Sequence, residues 1–270
     1  MEFKEKQYDG IYEVSEIEIH NQNQIFNGML YFPPATFHQP YPLIIYFHGF
    51  PQLFALKEIV KDYQYLLDMG YSFLVFNFRG YRTSQGEVSI TSQVSDSIKI
   101  IEFVRKMAER NVFNLNNVNL LAHDFGAYIA LILSSKIKVI NRMLLISPII
   151  NLEKHAYHMD FLKSLLYINQ FLPGNVKGIE NVDEFIKKTK NELKIKRYQI
   201  KEVLKQLTCK SIRIIIGDSD KITPVNEINK IVHNSIINLD LVIIDNMDHD
   251  IIQEEAVEQI HEEIKNFFKF

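Results

Sequence analysis

Asp124 is the residue of this 270-residue chain best placed for covalent chemistry. It stands at the centre of Ala122-His123-Asp124-Phe125-Gly126, between Asn117–Leu121, which reads as a short buried strand, and Ala127–Leu133, which reads as a packed helix. A small-x-nucleophile-x-Gly turn joins a strand sharply to a helix and pushes the central side chain into the open, just ahead of a helix N-terminus. That helix end and nearby N–H groups favour an ionised carboxylate without a separate base. Such a carboxylate can attack an sp³ carbon, opening an epoxide or displacing a leaving group, and form an alkyl-enzyme ester. Attack on an acyl ester would give an anhydride instead. An aspartate here therefore selects a different reaction class from a serine.

Three other signals supply what this chemistry needs. His48-Gly49-Phe50-Pro51 follows the apolar run Leu43–His48, and its turn can present the Phe50 backbone N–H. Together with the N–H of Phe125, it offers two donors to a developing oxyanion. Asp220 lies in Gly217-Asp218-Ser219-Asp220, beyond the run Ile212–Ile216, and is the expected histidine-orienting acid, with Asp218 capping the turn. His249 lies in Asp245-Asn246-Met247-Asp248-His249, beyond Leu241–Ile244, and is the expected base that activates water. His48 and His123 read as packing residues beneath the site. His155, His158 and Asp160 have loose metal-ligand spacing but no second cluster, so neither a metal nor a cofactor is expected. Cys209 sits near a strand start, away from the edge where catalysis would occur.

The elements that must position these residues follow from periodicity. Tyr12–His20 and Gln24–Phe32 alternate in character and predict an antiparallel hairpin. From Pro42 onward, apolar strands alternate with amphipathic helices: strands at Leu43–His48, Ser72–Phe78, Val118–His123, Met143–Ile146, Ile212–Ile216 and Leu241–Ile244, with helices including Gln93–Arg110 and Glu254–Phe268. This pattern predicts a mostly parallel, twisted α/β sheet with helices on both faces and an N-terminal antiparallel hairpin. Residues 151–207 break the rhythm with helical patterns alone, which predicts a lid inserted into a core formed by 1–150 and 208–270. The lysine-rich stretch Val182–Arg197 reads as a solvated face.

Composition narrows the partners. Hydrophobic residues make up 47% and charged residues 23% of the chain, an ordinary globular balance, and a net charge of -3 gives no electrostatic case for nucleic acid or anionic membrane. A single cysteine precludes an internal disulfide and suits a reducing compartment. No segment reaches the roughly 18–20 apolar residues of a membrane span, and the first residues lack the apolar core of a signal peptide. A cytoplasmic location is the expectation. Oligomeric state is left open.

With nucleophile, acid and histidine in that chain order, the sequence resembles the α/β-hydrolase superfamily over nearly its whole length. His48-Gly49-Phe50-Pro51 and His123-Asp124-Phe125-Gly126-Ala127 resemble epoxide hydrolases and haloalkane or fluoroacetate dehalogenases, which use an aspartate nucleophile. Phe78-Arg79-Gly80-Tyr81-Arg82-Thr83-Ser84-Gln85-Gly86 resembles the Arg-Gly-x-x-x-Ser-x-Gly loop of serine esterases and acyl peptidases. The epoxide-hydrolase likeness implies lid tyrosines that protonate the departing alkoxide, with Tyr157, Tyr167 and Tyr198 as candidates. Dehalogenases commonly hold halide with tryptophan; this chain has none and carries Phe125 after the aspartate, which counts against halide release. Two functions follow. One is a cofactor-free, epoxide-hydrolase-like enzyme that acts on a small apolar organic substrate through an alkyl-aspartyl ester. The other is an esterase- or peptidase-like scaffold in which aspartate replaces the catalytic serine by descent or by deliberate substitution, leaving catalysis lost or altered and the chain a binding protein.

Overall fold

A computed structural model describes residues 7–233 and 239–269. Its strands are β1 (Gln7–Asp9), β2 (Tyr12–Asn21), β3 (Gln24–Tyr31), β4 (Tyr41–Phe47), β5 (Ser72–Phe76), β6 (Phe113–His123), β7 (Ile140–Ile146), β8 (Ser211–Gly217) and β9 (Leu239–Ile244). They form one sheet in the order β1-β2-β3-β5-β4-β6-β7-β8-β9. The pairs from β1 to β5 are antiparallel, and those from β5 through β9 are parallel. The β2–β3 hairpin closes through Gln22 and Asn23, both at positive φ, as a two-residue turn between twisted strands requires.

Alternation along the central strands divides the core in two. Leu43, Ile45 and Phe47 of β4 face one cluster, while Ile44 and Tyr46 face the other. The first cluster is covered by α3 (Ile90–Glu109) and α4 (Asp124–Ser134), the second by α1 (Leu56–Asp62), α2 (Tyr65–Asp68) and α10 (Glu254–Phe268). All eleven residues of α4 are buried, so its sequence shows no polar face.

Between β7 and β8 the chain is helical, with α5 (Leu152–Ala156), α6 (Met159–Phe171), α7 (Val182–Leu193) and α8 (Ile200–Val203); α9 (Val225–His233) follows β8. The second half of this helical segment is tied to the core. Lys177 N–H donates to Gly80 O at 2.7 Å, and Val88 N–H donates to Lys177 O at 3.0 Å. The Glu192 carboxylate accepts from Ile90 N–H (2.9 Å) and Thr91 N–H (3.1 Å), satisfying two free donors at the start of α3. On α7, Phe185 and Ile186 are buried while Lys187 and Lys188 are exposed, giving the solvated lysine face expected.

Candidate active site

The crevice lies where the strand order reverses. β4 has β5 on one side and β6 on the other, so the loops leaving β4 and β6 diverge at the carboxyl edge of the sheet. β4 ends against β6 with Phe47 opposite Ala122, which brings Phe50 beside Asp124. Asp124 opens α4 with φ +52°, a left-handed conformation that costs a non-glycine residue about 1–3 kcal/mol. The surroundings enforce it. A Cβ on Gly126 would lie 2.4 Å from the carbonyl oxygens of Phe47 and His48, so only glycine lets α4 approach β4 this closely.

The two carboxylate oxygens of Asp124 have different neighbours. Oδ2 accepts from Phe50 N–H at 2.5 Å, and Oδ1 lies 3.3 Å from His249 Nε2. Phe125 is in the first turn of α4, so its N–H has no acceptor within the helix. His249 Nδ1 lies 2.9 Å from Asp220 Oδ2. Asp220 is held in turn: its Oδ1 accepts from Ile222 N–H (2.9 Å) and Thr223 N–H (2.8 Å). The loops carrying these two residues are laced together, with Ser219 N–H donating to Met247 O and Asn246 N–H to Asp218 Oδ1.

Electrostatics follow from this packing. Burial would raise the Asp124 pKa, but the hydrogen bond and charge of His249, with the Phe50 N–H, outweigh it and hold the carboxyl below its ordinary value. Burial would lower the His249 pKa, yet the bonds to Asp124 and Asp220 win and lift it to about 10. The resting centre is thus an imidazolium between two carboxylates. His48 is different: burial drops its pKa to about 4. Its Nε2 accepts from Phe78 N–H at 3.1 Å, leaving Nδ1–H for Gly49 O at 2.8 Å. It braces the turn beneath Phe50. His123 is also held neutral by burial.

A cavity of about 470 Å³ opens above Asp124 and His249. Phe50 forms its floor beside the carboxylate, with Phe161 at 5.7 Å and Phe185 stacked at 6.4 Å between ring centres. The three tyrosines expected to serve as acids do not reach it. Tyr157 is exposed under the Lys190 ammonium, and Tyr167 is exposed against Phe171. Tyr198 is buried elsewhere and donates to Thr91 Oγ1. His155 does line the cavity, a position for which its loose metal-like spacing in the sequence was no guide. Among the described residues, no group of three or more His, Cys, Asp or Glu is arranged to hold a metal ion, and no helix is long and apolar enough to cross a membrane.

A family model for the α/β hydrolase fold matches residues 42–187, from the start of β4 to α7 and including the Asp124 turn. The chain belongs to the α/β hydrolase fold family. An uncharacterized protein of Rickettsia prowazekii (strain Madrid E) is 31% identical over 146 residues, a stretch that covers 54% of this chain and 59% of that relative. Among α/β hydrolases of known structure, Est1E from Butyrivibrio proteoclasticus with bound ferulic acid superposes with TM-score 0.72 at 16% identity, covering 93% of this chain and 97% of that one. Acetyl xylan esterase 1 from Thermoanaerobacterium sp. gives 0.68 at 14% identity, covering 99% and 86%. A puromycin-hydrolyzing peptidase from Mycobacterium tuberculosis gives 0.71 at 12% identity, covering 95% and 39%. These likenesses concern the fold.

Proposed function

We propose that the chain is a cofactor-free hydrolase that works through an alkyl ester of Asp124, most like an epoxide hydrolase, with residues 151–207 as the lid over its site. The division of labour in the Asp124 carboxylate, at the edge of the cavity, carries this reading: Oδ2 is taken by the Phe50 N–H while Oδ1 faces His249. In the first step Oδ1 attacks a ring carbon, the C–O bond breaks with its electron pair on oxygen, and Oδ2 becomes the ester carbonyl oxygen, already at a donor. Esterification removes the Asp124 charge. One of the two carboxylates raising the His249 pKa is then gone, so His249 can release its proton to solvent and become a base.

Neutral His249, oriented by Asp220, then takes a proton from water as the hydroxide attacks the Asp124 carboxyl carbon. The tetrahedral oxyanion forms on Oδ2 between the N–H groups of Phe50 and Phe125. Collapse returns the carboxylate and releases a diol. The cavity's phenylalanine walls favour a small apolar substrate. Replacing His249 with Gln should block the second step alone, so that incubation with an epoxide panel adds the mass of one substrate to the Asp124 peptide.

The second reading is a binding protein on an esterase- or peptidase-like scaffold. The resting ion pair favours it, since an imidazolium held between Asp124 and Asp220 is a closed, stable arrangement that needs no turnover. Absence of any adduct with every electrophile tested would select this reading.

A further inference from the structure

In-line displacement at carbon puts the leaving oxygen on the side opposite the attacking one. His249 is hydrogen-bonded to the attacking carboxylate, so it stands on the wrong side to protonate the alkoxide. The donor must come from elsewhere on the cavity lining, where Lys221, on the loop that carries Asp220, is exposed to solvent and further polar side chains stand on the helical wall. Lys154 is engaged with Glu227 at 2.8 Å, and His158 and Asp160 are exposed and face each other at 3.5 Å. Ser164 Oγ donates to Asp160 O and Thr189 Oγ1 donates to Phe185 O. His155 is half-buried, lines the cavity, and has no hydrogen-bond partner at either ring nitrogen among the described residues. Its ring packs on Phe161 at 4.6 Å, and Phe161 packs on Phe50, whose N–H holds Asp124.

We infer that His155 is the general acid of the alkylation step, a role that rests on the Asp124 nucleophile reading. As Asp124 Oδ1 bonds to carbon, the C–O electron pair goes to the ring oxygen, which takes the proton of the His155 imidazolium. His155 is left neutral and is recharged from solvent. Burial lowers its pKa, so the charged ring is the minor form near neutral pH and, once formed, a ready donor. Leu152 and Ala156, the buried residues of α5, hold the short helix that aims it.

The test compares two electrophiles in the His249→Gln background, where the ester accumulates: styrene oxide, whose leaving oxygen needs a proton, and 4-nitrobenzyl bromide, whose bromide needs none. Adding His155→Phe should slow alkylation of Asp124 by the epoxide about 100-fold, and leave alkylation by the bromide within about threefold. His155→Tyr, which restores a donor, should recover most of the loss. Equal slowing with both probes, or none with the epoxide, would overturn the assignment while leaving Asp124 as nucleophile. No ester from either probe with His155 intact would overturn the nucleophile reading, and this one with it.

Discussion

His249 Nε2 lies 3.3 Å from Asp124 Oδ1, while its Nδ1 lies 2.9 Å from Asp220. The imidazole therefore links the Asp124 carboxylate with the Asp220 carboxylate, and its proton affinity reports the state of both. Several consequences can be measured.

The first concerns titration. With Asp124→Asn, one raising carboxylate is lost, and the His249 midpoint should fall well below the value of about 10 it has in the intact chain. NMR titration of the His249 ring checks this. An unchanged midpoint would mean that Asp220 alone sets it.

Stability follows with a definite sign. The folded pKa of His249 is raised from 6.5 to about 10, so its stabilising contribution is full below about pH 6.5 and is lost as pH rises toward 10. The Asp124 pKa is lowered, so its contribution is present above its ordinary value near 3.8 and is lost as pH falls through the folded one. The Tm difference between the parent and His249→Gln should be largest near neutrality and slightly acid pH and shrink by pH 10.

Asp220 should matter more to stability than a surface carboxylate would. It accepts from two backbone N–H groups besides His249 and is buried. Asp220→Ala leaves those donors and the His249 Nδ1–H without partners, at a cost of about 3 kcal/mol or more. Denaturant unfolding of Asp220→Ala against Asp220→Asn, which keeps an acceptor oxygen, separates the loss of bonds from the loss of charge.

Close approach at the turn gives a steric prediction. Gly126→Ala would drive a methyl group against two backbone carbonyls and should destabilise by about 3 kcal/mol. Gly49→Ala meets the Asp124 side chain at 2.8 Å, so it should displace the carboxylate from Phe50 N–H and suppress ester formation more than it lowers Tm.

Much of this site is legible in the sequence because it depends on strand ends. Asp124, Phe50, Asp220 and His249 each follow an apolar run that becomes β6, β4, β8 or β9, and a parallel sheet gathers such positions at one edge. The fold was legible for the same reason, since Ile44 and Ile45 or Leu120 and Leu121 pack on opposite faces of a doubly covered sheet. What escaped lacks periodic support. β1 is three residues, all exposed, so it carries no hydrophobic pattern. The short helices α1 and α2 bury two residues each. The direction in which a side chain of α5 or α6 points depends on how those helices dock. Spacing therefore could not tell Tyr157, which meets Lys190, from His155, which meets Phe161 and the cavity.

The oxygen source in the product tests the aspartyl-ester account most directly. The intact protein, in excess over an epoxide, would be allowed one turnover in ¹⁸O-labelled water, and the Asp124 peptide and the diol would then be weighed. Hydrolysis of an Asp124 ester predicts label in the Asp124 carboxylate and unlabelled diol from the first turnover. Label in the diol alone, with none in the peptide, would mean that water attacks the substrate directly and would contradict the account.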